Sequence, residues 1–360
     1  MKILINALPG NGDALMFTPS LKILREKYPD SEIHLLVMFR SVAEMFGNSP
    51  YINYIHFIDF LNQSKLSSFK EILKLRKNNF DVSVNIYPTN RAEYNILGFL
   101  TGAKKRIAFS YIKSGFHRFE FLNTNLIPEI RNKHNVLQNI GAIRELVEVN
   151  DNEVGKLEIS LDKTALAKTR DWLNSLKVSD KLIVGIHPGS STLKNHIHKR
   201  WDKEKFIELC NKLINVHNGF IFIFGNEFEL NREIKSSLGE NAILVSTENY
   251  MDSLLRQTFC DLFVSNDTAF MHSAAAFEIP TVAIFAYTNS RELYPWKTNH
   301  RIVREDLDCS PCFYNSPSPA SCIWQGNDKW KCIKNITVEK VFEACDELIQ
   351  EIPHDSKSGN

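Results

Sequence analysis

Four short stretches of the 360-residue sequence carry side chains whose types and spacing could do chemistry. In PGNGDALMFTP, Gly10 and Gly12 permit a close approach to the backbone, and Asp13 falls in the first turn of the amphipathic pattern that follows. A carboxylate at that place is kept ionised by the helix dipole and free N–H groups, so it either takes a proton from a hydroxyl or simply caps the helix. The loop is not a nucleotide fingerprint: Leu15 stands where GxGxxG needs its third glycine, and the Walker lysine is absent. In VGIHPGSSTLKNHIHKRWDKEKF, Gly189, Ser190, Ser191 and Thr192 offer hydroxyls and N–H groups, while Lys199 and Arg200 add positive charge. Hydroxyls with a cation are what a diphosphate needs. His187, His196 and His198 have no carboxylate or cysteine suitably placed beside them and read as loop histidines, not metal ligands.

The third stretch, FGNEFELN, puts Glu227 and Glu229 just past an apolar run, where a carboxylate meets a ribose diol in a doubly wound sheet; a solvated helix start accounts for them equally well. In the fourth, SNDTAFMHSAAAFEIPTVAIF, Asp267 ends a β-type run, Thr268 and Ala269 begin an alanine-rich helix, and Met271 and His272 stand on its first turn. Small residues at a helix start can hold a phosphate through backbone N–H groups, with His272 adding a hydrogen bond or a charge; the alternative is a capped core helix with a satisfied histidine. Cys309, Cys312, Cys322 and Cys332 crowd one further stretch. Only one CxxC pair is present, so zinc binding, reduced structural thiols and disulfides all stay open.

The elements that must position these loops alternate. KILINAL, EIHLLVM, YIHFID and FDVSVNIY predict strands, with helical stretches such as SSFKEILKLRKNN between them. LEISLD predicts a short strand near residue 157, and KTALAKTRDWLNSL a charged helix bridging two domains. The alternation restarts with KLIVGI, GFIFIFG, NAILVST, DLFVSN and TVAIFA, and TVEKVFEACDELIQEI predicts a final amphipathic helix before a frayed tail, HDSKSGN. The fold class is therefore α/β, with two doubly wound parallel sheets, and open sheets of this kind bind ligands at the carboxyl ends of their strands, in a shared cleft.

Composition agrees with two globular cores: 43% of residues are hydrophobic. No apolar run reaches membrane-spanning length, and the N-terminal run is too short for a secretory signal, so a cytoplasmic protein is expected. Residues 1 to 150 carry 19 Lys and Arg against 13 Asp and Glu, which makes the first half basic. Its runs Lys104, Lys105, Arg106 and Arg131, Lys133 face an acidic substrate or an anionic membrane, or are ordinary solvated charges. No nucleic-acid partner is expected.

Taken together and in order, the motifs are specific: the Gly-Asp loop running into Thr18-Pro19-Ser20-Leu21, Gly189-Ser190-Ser191 followed by Lys199-Arg200-Trp201, Asp267-Thr268 with Met271-His272, the run Ile279 to Phe285, Tyr294-Pro295-Trp296, and Cys309-Ser310-Pro311-Cys312. Over nearly the whole chain they resemble the lipopolysaccharide heptosyltransferases of glycosyltransferase family 9. The resemblance implies a GT-B fold of two Rossmann-like domains: an acceptor domain over 1–165, a nucleotide-sugar domain over 166–335, and a helix over 336–352 crossing back to the first. It implies inverting transfer without a metal or other cofactor, from a nucleotide-sugar donor such as ADP-heptose to a phosphorylated, lipid-linked saccharide acceptor, with peripheral contact at the inner membrane. Asp13 would be the base. Ser190, Ser191, Lys199, Thr268, Ala269 and His272 would bind the diphosphate, Glu227 the nucleoside and Asp267 the sugar side, while Gly12, Lys104, Lys105 and Arg106 would meet the acceptor. Ala269 and Glu278 stand where the family commonly has glycines, Ala286-Tyr287 replace Gly-Pro, and TLKNHIH lengthens the Ser191–Lys199 spacing; these departures touch the donor more than the fold. Rival readings are a related transferase using another donor for capsule or protein glycosylation, a non-catalytic nucleotide-sugar binder, and a nucleotide-sugar epimerase of the same shape.

Overall fold

The computed structural model describes residues 1–112, 118–247, 249–315 and 318–352, so the predicted tail lies outside the described residues. The chain forms two units, the first Met1–Ser160, the second running from Leu161 to Tyr314 and on from Ser318. Strands β1 (Lys2–Ala7), β2 (Glu32–Val37), β3 (Tyr54–Phe57), β4 (Val82–Asn85), β5 (Lys105–Ser110) and β6 (Asn125–Pro128) belong to the first unit. Between them run α1 (Asn11–Leu15), α2 (Thr18–Lys27), α3 (Arg40–Phe46), α4 (Lys65–Arg76) and α5 (Ala92–Leu100), with α6 (Asn135–Ile143) after the last strand. The second unit holds β7 (Leu182–His187), β8 (Gly219–Ile223), β9 (Ala242–Leu244), β10 (Leu262–Asn266), β11 (Thr281–Phe285) and β12 (His300–Arg304). Its helices are α7 (Lys163–Ser175), α8 (Lys203–His217), α9 (Phe228–Leu238), α10 (Tyr250–Gln257), α11 (Ala269–Ala276), α12 (Ser290–Leu293), α13 (Lys331–Lys334) and α14 (Val338–Gln350).

Both sheets have one topology. The first is ordered β3-β2-β1-β4-β5-β6 and the second β9-β8-β7-β10-β11-β12, with every pairing parallel. Central strands are buried on both faces and are accordingly near-continuous apolar runs: every residue of β10 and β11 is buried. In this order the chain reverses direction across the sheet between β1 and β4, and again between β7 and β10, and a crevice opens there beyond the carboxyl ends. The loops after β1, β7 and β10 are three of the four singled out from the sequence.

Three strands were not foreseen, β5, β6 and β12, for a common reason. KRIAFS opens on charge, NLIP ends in proline, and HRIVR carries two arginines; β6 and β12 are edge strands, where charge and proline discourage further pairing. Conversely, the strand expected near residue 157 does not form. Glu158 instead accepts hydrogen bonds from Lys22 Nζ and the Tyr51 hydroxyl, both at 2.6 Å, and ties the segment to the first unit.

Two helices expected to link the domains are assigned to the second unit. α7 lies wholly within it, its Trp172 ring meets Phe222, and Arg256 stacks on that ring. In α14, Val341, Cys345 and Leu348 complete the cluster formed by β7, β8, β10 and α8. The unit boundary falls at Ser160, five residues before the predicted one.

Candidate active site

The second unit's site grows from two loops clamped by one buried amide. Asn266, last residue of β10, donates from Nδ2 to the carbonyls of Pro188 (2.9 Å) and Gly189 (3.1 Å) and accepts from the Trp201 backbone N–H at 3.0 Å. It thus fixes both ends of the 188–201 loop against the start of α11. Trp201 is itself buried and donates its indole N–H to the Ile336 carbonyl.

On this frame Lys199 meets Asp267 at 3.1 Å, with side-chain exposures of only 12% and 6%. Burial works against the Asp267 carboxylate, yet Lys199 beside it holds it below the usual carboxylate range. His272, on the first turn of α11, is pushed down to about 4 by burial, against the opposing pull of Asp267. It is a neutral imidazole at neutral pH and so supplies a hydrogen bond, not the charge left open by the sequence. Its Nδ1 is buried with no hydrogen-bond partner among the described residues. Thr268 caps α11 only by backbone position, without a side-chain cap bond, and the helix therefore presents unsatisfied N–H groups at Ala269.

A second chain of contacts runs through Glu227. Its carboxylate sits 3.2 Å from Arg200 Nη2 and 3.6 Å from His187 Nε2. Burial raises its affinity for a proton, but His187 and Arg200 more than offset this and keep it ionised. His187 Nδ1 in turn lies 2.8 Å from the Thr268 hydroxyl. Glycines make the room: a Cβ on Gly189 would stand 2.1 Å from the Glu227 carboxyl carbon, and one on Gly225, where φ is +108°, 2.5 Å from Oε2. Glu227 is thus no solvated helix start, although Glu229 on the next turn is exposed. His187, a loop histidine by sequence, closes β7 and links two site loops.

Other assignments shift. The Ser190 hydroxyl donates to the His196 carbonyl at 2.8 Å and accepts from Arg200 Nε at 3.1 Å, so it braces the loop. Ser191 is exposed and accepts from the Leu193 N–H. Tyr287, the departure from Gly-Pro, is buried and reaches His196 Nδ1 at 3.2 Å, while His198 stacks on Trp330. Cys309, Cys312, Cys322 and Cys332 are free thiols lining one small cavity with Tyr287 and Trp330.

In the first unit Asp13 lies in the first turn of α1, half-buried, at the β1–β4 switch point. The N-cap is Gly10, so Asp13 is not the cap; Gly12 precedes it, its carbonyl accepting from Met16 N at 3.0 Å. Asp13 and Arg91 both act electrostatically on the Tyr94 hydroxyl, whose pKa burial raises. Lys104, Lys105 and Arg106 do not join this group. They sit at the amino end of β5, at the sheet edge opposite Asp13, roughly 17 Å away along the strands. Lys104 pairs with Asp81, Lys105 bonds the Glu145 carbonyl, and Arg106 bonds the carbonyls of Ala103 and Leu122. The charge run spends itself on its own sheet, which composition alone does not reveal.

Two parallel sheets of 3-2-1-4-5-6 order are the architecture of the GT-B class of glycosyltransferase. A family model described as glycosyltransferase family 9 (heptosyltransferase) matches residues 69–321, well over half the chain, and the chain belongs to that family. Along its length it is 28% identical to the lipooligosaccharide heptosyltransferase 2 of Campylobacter jejuni, over 97% of this chain and 99% of that protein. Among solved structures it resembles a family 9 glycosyl transferase from Veillonella parvula (TM-score 0.78, 18% identity, 97% of each chain). It also resembles the Escherichia coli ADP-heptose lps heptosyltransferase II (TM-score 0.73, 18% identity, 98% of this chain and 99% of that one).

Proposed function

We propose that this glycosyltransferase moves a heptose from a nucleoside-diphosphate heptose, ADP-heptose by similarity to its relatives, onto a lipid-linked lipopolysaccharide core at the cytoplasmic face of the inner membrane. The observation that carries the reading is the withdrawn Lys199–Asp267 pair beside the uncapped start of α11 and the unpartnered His272 Nδ1. A cation, helix N–H groups and a neutral imidazole converge there, as a departing diphosphate requires. Glu227, ionised and held in its glycine slot, is the acceptor for nucleoside hydroxyls.

In this mechanism Asp13 takes the proton from the acceptor hydroxyl as that oxygen attacks the anomeric carbon and inverts it. The bond from the anomeric carbon to the diphosphate breaks, and its electron pair leaves on the diphosphate. Lys199 and the α11 N–H groups stabilise the growing charge, so the scheme calls on no metal. Arg91 and this base both act on the Tyr94 hydroxyl, so Tyr94 stands within electrostatic reach of Asp13.

A thermal-shift panel of ADP-, GDP- and UDP-sugars tests the donor, because a ligand of the native state raises its melting temperature. Asp13→Ala should keep the ADP-sugar shift while turnover drops about a hundredfold or more. Unchanged turnover removes Asp13 from the mechanism, and no shift with any nucleotide removes the functional reading itself.

A further inference from the structure

Helix α4 turns apolar side chains in two directions. Ser68, Ile72 and Leu75 are buried, and Ile72 and Leu75 join Leu4, Leu36 and Leu97 in the first unit's core. Elsewhere on its surface Leu66, Phe69 and Leu73 are exposed by 64%, 42% and 41%, at the i, i+3, i+7 spacing of a second stripe. At 100° per residue these three fall within about 60° of arc, centred about 120° round the helix from the buried face. Lys70, Lys74 and Lys77 border the stripe on one side, and Lys65 and Arg76 on the other, all exposed. The helix has a single acidic residue, Glu71, which pairs with Lys74. Among the described residues Lys65, Lys70 and Lys77 form no ion pair. Leu61, three residues ahead of the Ser64 cap, adds another apolar side chain at 60% exposure.

We propose that α4 is the membrane-docking element of this protein, lying in the plane of an anionic bilayer surface with Leu66, Phe69 and Leu73 among the acyl chains and its lysines at the lipid headgroups. Cations flanking an apolar stripe on both sides complement anionic lipid and suit a water–lipid boundary. No helix among the described residues is long and apolar enough to cross a membrane, so an in-plane helix is the kind of contact available to them. The choice of lipid as occupant also rests on the proposed function, whose acceptor is lipid-borne. The basic run at Lys104 to Arg106 does not compete for this role, being engaged with its own sheet.

The test is flotation of the full chain with vesicles of phosphatidylcholine alone or mixed with phosphatidylglycerol. The wild-type chain should float only with the anionic vesicles, and Leu66→Ser/Phe69→Ser/Leu73→Ser should stay behind. Lys65→Gln/Lys70→Gln/Lys77→Gln should lower partitioning onto the anionic vesicles by about a hundredfold, at roughly a tenfold or smaller loss per lysine. The melting shift with ADP should be the same in all three, which shows that the variants fold. Failure of the wild-type chain to float, or equal flotation of the serine variant, overturns the proposal. So does a wild-type dimer by sedimentation that the serine variant dissolves, since a second copy would then own the stripe. Flotation uses no sugar, so an absent ADP shift with flotation intact would strike the functional reading and leave α4 standing.

Discussion

Lys199 and Asp267 depend on each other more than either sequence position suggests. Both are nearly out of water, so removing one leaves the other as an unpaired buried charge, at a cost of about 3–5 kcal/mol. Lys199→Ala should therefore do two separable things. It should weaken nucleoside-diphosphate binding about tenfold to a hundredfold, the worth of a charged hydrogen bond, and it should lower the melting temperature. Adding Asp267→Asn should restore melting without restoring affinity. Equal affinity of Lys199→Ala and wild type by calorimetry would reject Lys199 as a diphosphate ligand.

At the scale of elements, the loops after β7 and β8 fit together because two glycines leave a slot for one carboxylate. Gly189→Ala places a methyl group within 2.1 Å of the Glu227 carboxyl carbon, and the side chain must leave its place beside Arg200 and His187. Overpacking of this kind costs about 1–3 kcal/mol. In a Glu227→Ala background the same substitution should be nearly neutral, since nothing then fills the slot. A thermal-melting double-mutant cycle decides the matter: an equal loss in both backgrounds would mean that Gly189 is required for some other reason. Gly189 is visible in the sequence, but its purpose is not, because the carboxylate it accommodates comes from the neighbouring strand's loop.

For the whole molecule, the buried His272 and the half-buried His196 make stability depend on acid. His196 and His272 are each pushed down to about 4 by burial, whereas in the unfolded chain they titrate near 6.5. Between those values the unfolded chain binds protons that the folded one refuses, so stability is fully present above about 6.5 and falls as the pH drops toward 4. The loss approaches about 3 kcal/mol per histidine. Melting temperature against pH should fall in that window, and His272→Gln should flatten part of the slope. A flat profile from 7 to 4.5 would show that these histidines are not held neutral.

The alternation of apolar runs with amphipathic segments was enough to determine two parallel sheets, because strands buried on both faces and helices covering them leave periods that local sequence must obey. That Asp13, Glu227 and Asp267 fall just past the carboxyl ends of strands was also legible, since each stands close after a glycine turn or an apolar run. The edge strands β6 and β12 escaped, for they carry the polar residues and proline that protect an edge, and β5 escaped because it opens on two charges; all three lose the apolar signature. Only the tertiary structure decided that α14 belongs to the second unit's core, that Ser190 braces its loop, and that Lys104 to Arg106 stand at the wrong edge of the sheet. Those are questions of which end of a strand a residue occupies and which distant groups reach it. Residue type and spacing fix the chemistry a side chain can do, whereas its partners, its burial and therefore its charge are set by contacts between segments far apart in the chain.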